Sequence, residues 1–81
     1  MTKVDIQLTY AENVKRFVNI VNKYNFDLDL RSGRHVVDAK SILGIFSLDL
    51  SHPVSLEISG EENAPAGQLE ALLKDIEPFT V

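Results

Sequence analysis

The hydrophobic period of this chain switches repeatedly, and each switch narrows the folds open to it. Val4, Ile6 and Leu8 alternate with Asp5, Gln7 and Thr9, the period of two that marks a half-buried strand. Val14, Phe17, Val18, Val21 and Tyr24 then fall on one helical face, with Lys15, Arg16, Asn19, Asn22 and Lys23 mostly outward. The spacing predicts a helix over 11–24. Phe26, Leu28 and Leu30 return to period two. Arg31-Ser32-Gly33-Arg34 reads as a tight turn, and His35-Val36-Val37 as the short returning strand of a hairpin. Ser41 stands where it can cap a short helix over Ile42 to Leu48. Gly44 inside that helix costs about 1 kcal/mol relative to Ala, which points to a packing reason such as close approach to the sheet. Pro53 ends the segment. Val54, Leu56 and Ile58 alternate once more. Gly60 to Pro65 then reads as a turn opening a last helix, with Pro65 in its first turn and Glu61 and Glu62 near its positive pole. The apolar stripe of that helix is Ala66, Leu69, Leu72, Leu73 and Ile76, and Pro78 stops it. The tail, Phe79-Thr80-Val81, is expected to be loose or packed on the sheet edge.

The predicted order is β-α-β-β-α-β-α. Four alternating strands leave one sheet face in water, and three amphipathic helices cover the other, giving a two-layer α+β fold. The 81 residues are read as a single domain, 1–81, fully used by these elements. The chain has no cysteine, so neither disulfides nor thiolate metal sites hold it together. No His or carboxylate spacing suggests a metal site or a cofactor. Neither a secretory leader nor an apolar run of membrane-spanning length stands in the sequence, and the expected location is the cytoplasm.

Charge is unevenly placed. Residues 1–40 hold seven basic and five acidic groups, and residues 41–81 hold one basic and seven acidic, for a net −4. The acidic balance argues against nucleic acid as a partner. The polarity can orient a charged protein partner, or simply reflect how a small surface divides.

The stretch Val37-Asp38-Ala39-Lys40-Ser41-Ile42-Leu43-Gly44-Ile45-Phe46-Ser47-Leu48, with the order of elements, resembles HPr, the histidine-containing phosphocarrier of the bacterial sugar phosphotransferase system. Lys40 to Gly44 reproduce the family's lysine-serine-isoleucine-leucine/methionine-glycine run at the start of its second helix. Asn22-Lys23-Tyr24-Asn25 is similar to the family's end of helix one. The resemblance spans about Val4 to Ile76 and implies an open-faced sandwich with a four-stranded antiparallel sheet and three helices on one face.

The family carries its phosphoryl group on a histidine at the N-terminus of the first helix, in the pattern glycine-isoleucine-histidine-alanine-arginine-proline-alanine. Counting back from Lys40-Ser41 without gaps puts Tyr10 at the histidine and Ala11 at the alanine. Glu12 then falls on the arginine and Asn13 on the proline, after a shortened loop. The implied carrier chemistry does not survive these changes. A phosphohistidine is a high-energy P–N linkage, whereas a phosphotyrosine is a low-energy ester. Glu12 competes for the helix amides and repels a phosphate.

Other residues remain as candidates. His52 lies in the loop after the second helix, which in the family approaches the carrier end, and His35 lies in the short strand; either is also readable as simply solvated. The serine matching Ser41 is phosphorylated by HPr kinase in many family members and acts through a transcription regulator. Ser41 is therefore a regulatory candidate, beside the plainer reading of a helix cap. Lys15, Arg16, Lys40, Ile42, Leu43 and Phe46 are candidate partner-binding residues. The expectation is a non-enzymatic, HPr-related protein of the sugar phosphotransferase and carbon-regulation network, a monomer or weak dimer. Its partners would be phosphotransferase components, HPr kinase or a transcription regulator. Two alternatives stand beside it: a phosphocarrier with a relocated acceptor such as His52, and an interaction domain that keeps only the fold.

Overall fold

The computed structural model describes residues 1–81 throughout. Seven regular elements follow the predicted order: β1 (Thr2–Ile6), α1 (Ala11–Val21), β2 (Asp27–Ser32), β3 (His35–Asp38), α2 (Ile42–Phe46), β4 (Val54–Ser59) and α3 (Gln68–Asp75). Two single 3₁₀ turns, Glu61–Asn63 and Glu77–Phe79, flank α3. The strands form one antiparallel sheet in the order β1-β4-β2-β3. The α+β sandwich expected from the period switching is the fold observed.

Strand alternation explains the layering. Leu28 and Leu30 of β2 and Val54, Leu56 and Ile58 of β4 turn inward and are buried. Val14, Phe17 and Val21 of α1, Ile45 of α2 and Leu72 of α3, with Ile76 just beyond it, close the core from the helical side. Each such side chain contributes about 1.5–3 kcal/mol by leaving water. The opposite sheet face is open. There, Glu57 of β4 is buried to 7% exposure beneath Arg31, whose Nε donates to Glu57 Oε2 at 2.8 Å. That contact holds the Glu57 carboxyl below its usual range and the Arg31 guanidinium above its own.

The hairpin turn has Gly33 at φ +60 and Arg34 at negative φ. A positive φ at the first central position is the II′ arrangement, which suits the right-handed strand twist. Gly44 has the packing reason expected of it: a Cβ there would stand 3.3 Å from both Ser41 Oγ and Val37 Cβ.

Several boundaries differ from expectation. Helix α1 ends at Val21, three residues early. The Asn22 side chain bonds the Val18 carbonyl at 2.8 Å. The Lys23 and Tyr24 amides then reach back only three residues, to Ile20 and Val21, tightening the last turn. Tyr24 is buried all the same. Helix α2 stops at Phe46, and Leu48 is buried from the turn beyond it.

Helix α3 starts at Gln68, behind Gly67 at φ +86, so Pro65 and the exposed Ala66 precede it rather than form its first turn. Glu61 does not serve the helix pole; its Oε2 accepts from Thr2 Oγ1 at 2.8 Å, which lowers its pKa. The C-terminal tail is packed on the sheet edge. Phe79 is buried edge-on to Phe17, and Thr80 bridges Ile6.

Candidate functional site

Tyr10 is the N-cap of α1, in extended backbone with φ −105 and ψ 145. Its carbonyl accepts from the Asn13 and Val14 amides at 3.0 and 3.2 Å, but its side chain makes no capping bond and is 67% exposed. Glu12 stands exposed in the first turn. The helix end therefore offers free amides beside a phenol and a carboxylate, with no imidazole or guanidinium among its first residues.

Ser41 is the N-cap of α2. Its Oγ accepts from the Gly44 amide at 3.1 Å, so the expected cap is present. Lys40 does not lean toward it. Its Nζ donates to the Tyr24 carbonyl at 2.6 Å, and the Asn22 side chain reaches the Lys40 carbonyl at 3.5 Å. The start of α2 is thus tied to the end of α1. Tyr24 is fastened in turn, its hydroxyl donating to Asp75 Oδ2 at 2.6 Å, which with burial pushes its pKa up to about 12.

The connection that leads from β1 into the start of α1 meets the loop after α2: Gln7 Nε2 donates to the Leu50 carbonyl at 3.3 Å. Tyr10 and the loop carrying His52 therefore share one end of the molecule, while Ser41 lies toward the opposite end of α1. His52 is exposed, with Nε2 4.0 Å from Asp49 Oδ2. The Ser51 hydroxyl and amide bond Asp49 and lower its pKa. His35 is exposed in β3.

Of the apolar candidates on α2, Leu43 is 80% and Phe46 45% exposed, whereas Ile42 is half-buried against the core. Lys15 and Arg16 are exposed on α1, and the Arg16 guanidinium sits 5.6 Å above the Phe79 ring. No cavity is lined by Tyr10, Ser41 or His52. Tyr10, His52, Leu43 and Phe46 lie on open surface, which suits a macromolecular partner better than an enclosed small ligand. No group of three His, Cys, Asp or Glu side chains is placed to hold a metal ion. No helix is long and apolar enough to cross a membrane.

Residues 9–77 match the family described as the PTS HPr component phosphorylation site. The chain belongs to the HPr family. Among solved structures, HPr-C-His from Thermoanaerobacter tengcongensis is 30% identical with a TM-score of 0.71, covering 95% of this chain and 92% of its own. The phosphocarrier protein HPr from Bacillus anthracis str. Ames is 29% identical with a TM-score of 0.57, covering 91% of this chain and 92% of its own. No curated protein matches the chain. Membership places it in the phosphocarrier family of the phosphotransferase system, whose members interact with other proteins of that system.

Sequence reasoning missed the tether from Lys40 to the Tyr24 carbonyl. A lysine beside the helix-capping serine reads as a free cation, and nothing in local spacing reveals a bond across sixteen residues. The Tyr24–Asp75 bond was equally hidden, because its partners are far apart in sequence.

Proposed function

We propose that this HPr-family protein does not carry phosphate on the first helix and acts by binding other proteins, with phosphorylation of Ser41 as its switch. The observation that carries the first part is the α1 start. Tyr10 occupies the N-cap and Glu12 the first turn, where the family pattern has its histidine and arginine. The partner surface is the exposed side of α2, Leu43 and Phe46, next to Ser41, with the exposed basic pair Lys15 and Arg16 on α1 as further partner-binding residues. The setting is the cytoplasmic sugar phosphotransferase and carbon-regulation network, with phosphotransferase components, HPr kinase or a transcription regulator as partners. A phosphate on Ser41 would lie at the positive end of α2, with its charge met by helix amides. Lys40, engaged with Tyr24, would not be its counter-ion.

The test is incubation with phosphoenolpyruvate, enzyme I and magnesium, followed by intact-mass spectrometry. No gain of a phosphoryl group is expected. An acid-labile gain would overturn the non-carrier reading. ATP with HPr kinase is expected to add one acid-stable phosphoryl group, lost in Ser41→Ala; its absence across several kinases would leave Ser41 as a cap alone.

A second reading has one observation in its favour. His52 is exposed in the loop that the Gln7–Leu50 bond draws to the Tyr10 end. An acid-labile phosphoryl group abolished by His52→Ala would select it.

A further inference from the structure

The two edges of the sheet are finished differently. Along β1 the chain covers its own edge: the Gln7 amide donates to the Phe79 carbonyl at 2.8 Å and the Val81 amide to the Asp5 carbonyl at 3.1 Å. At the far edge, β3 has β2 on one side and no strand on the other. The Ala39 amide donates to the Leu28 carbonyl at 2.9 Å. Because an antiparallel ladder alternates, odd-numbered residues here turn their backbone groups toward β2. Val36 and Asp38 therefore turn theirs outward, to a partner the chain does not supply.

The side chains along that edge carry unbalanced charge. Asp38 lies opposite Asp29, which lies opposite Glu57 on its other side. Like charges directly opposite one another are destabilising. In that row the Arg31 guanidinium is already committed to Glu57, and Lys3 lies beyond Glu57 on β1, away from Asp38. Meanwhile Arg34, at the tip of the same hairpin, is exposed and pairs with no carboxylate. One edge thus presents an excess carboxylate at one end, a free guanidinium at the other, and Val36, 44% exposed, between them.

We propose that β3 pairs with β3 of a second copy of this chain, antiparallel about a two-fold axis at Val36, joining two four-stranded sheets into one. In this register Val36 faces Val36, and Arg34 of each copy faces Asp38 of the other, all on the open face. Their outward backbone groups are in phase for hydrogen bonding. A one-residue shift would set core-facing against solvent-facing side chains. A shift that centres Val37 would leave Arg34 without a carboxylate. The contact is isologous and closes at two copies. With so few residues a side it is far below a standard interface, so the dimer forms only at high protein concentration. Short, charged edges also serve to discourage pairing; here the two charges are opposite in sign and meet each other.

Sedimentation equilibrium of the full chain over a concentration series tests this. The mass is expected to rise from monomer toward dimer as concentration increases. Val36→Pro removes an outward N–H without taking a hydrogen bond from the ladder with β2, as an edge strand tolerates, so it is expected to abolish the rise while the circular dichroism spectrum keeps its folded shape. Arg34→Glu and Asp38→Lys are each expected to weaken self-association about tenfold, since two symmetry-related pairs turn repulsive. An equimolar mixture of these two variants is expected to associate again, because every cross-copy pair is then opposite in charge. That rescue is a readout no folding defect reproduces. A constant monomer mass at the highest concentration, a dimer indifferent to Val36→Pro, or failure of the mixed variants to associate would each overturn the proposal.

Discussion

Helices α1 and α2 begin with nearly the same backbone. Tyr10 has φ −105 and ψ 145, and Ser41 has φ −101 and ψ 110. Their side chains behave oppositely: Ser41 accepts the Gly44 amide, and Tyr10 caps nothing. Length explains how the chain can afford the difference. Helix α1 has 11 residues and buries Val14, Phe17 and Val21, so its packed face holds it. Helix α2 has five residues and buries only Ile45. So short a helix does not recover its nucleation cost from its own hydrogen bonds, and it depends on its cap and its fit against β3. Ser41 and Gly44 of the lysine-serine-isoleucine-leucine-glycine run are therefore needed by the fold itself. The α1 start asks no capping bond of the Tyr10 side chain and leaves Glu12 exposed in its first turn.

The sharpest way to break this contrast is to crowd each helix start. Gly44→Leu drives a side chain into Val37 and Ser41, and overpacking of this kind costs about 1–3 kcal/mol. A lowered urea midpoint is expected. Ala11→Leu, at the exposed first position of α1, is expected to stay within about 0.5 kcal/mol of the parent. Equal losses at both positions would mean that the α1 start is as constrained as the α2 start.

A gentler probe removes the cap alone. Ser41→Ala leaves the Gly44 amide without its partner and is expected to cost about 1 kcal/mol, whereas Tyr10→Ala removes no capping bond. Tyr10→Ser, by supplying a hydroxyl at an extended N-cap, is expected to stabilise α1 by about 0.5 kcal/mol or more. Thermal melts of the three variants check the order. A large loss in Tyr10→Ala would show that the phenol has a structural role.

The fold was legible because its information is local. Period two at Val4, Leu28 and Leu56, period 3.6 from Val14, and the Ser41 cap each reveal their element within a few residues. Errors gathered where a local signal was overruled by neighbours. Pro65 reads as a helix start, yet the left-handed Gly67 delays α3 to Gln68. Tyr24 sits on the helical face by count, yet the chain has already tightened into a turn. The candidate site was legible at Tyr10, Glu12 and Ser41, whose position relative to a helix end is a matter of sequence. It was not legible at Lys40, because a long side chain can reach any of several acceptors and only the folded chain selects the Tyr24 carbonyl.

That tether leads to the smallest and most specific probe. Tyr24 links the start of α2 to the end of α3: its carbonyl anchors Lys40 beside Ser41, and its hydroxyl anchors Asp75 at the end of α3. Tyr24→Phe keeps the first bond and removes the second. Near neutral pH it is expected to cost about 0.5 kcal/mol, the lower end for a lost hydrogen bond, because Asp75 is exposed and rehydrates. Alkaline pH reverses the order. The hydrogen bond and burial raise the folded phenol from its ordinary 10.0 to about 12. Between those values the unfolded chain has shed this proton and the folded chain has kept it, so stability falls as pH rises. The stabilisation is complete below the unfolded pKa and is lost as pH passes through the folded one. Tyr24→Phe has no such proton, so denaturation followed from pH 9 to 12 is expected to show the parent losing its small advantage and then dropping below the variant. Parallel curves across that range would mean that the Asp75 bond does not hold the phenol in solution, and that α2 is anchored through the Tyr24 backbone alone.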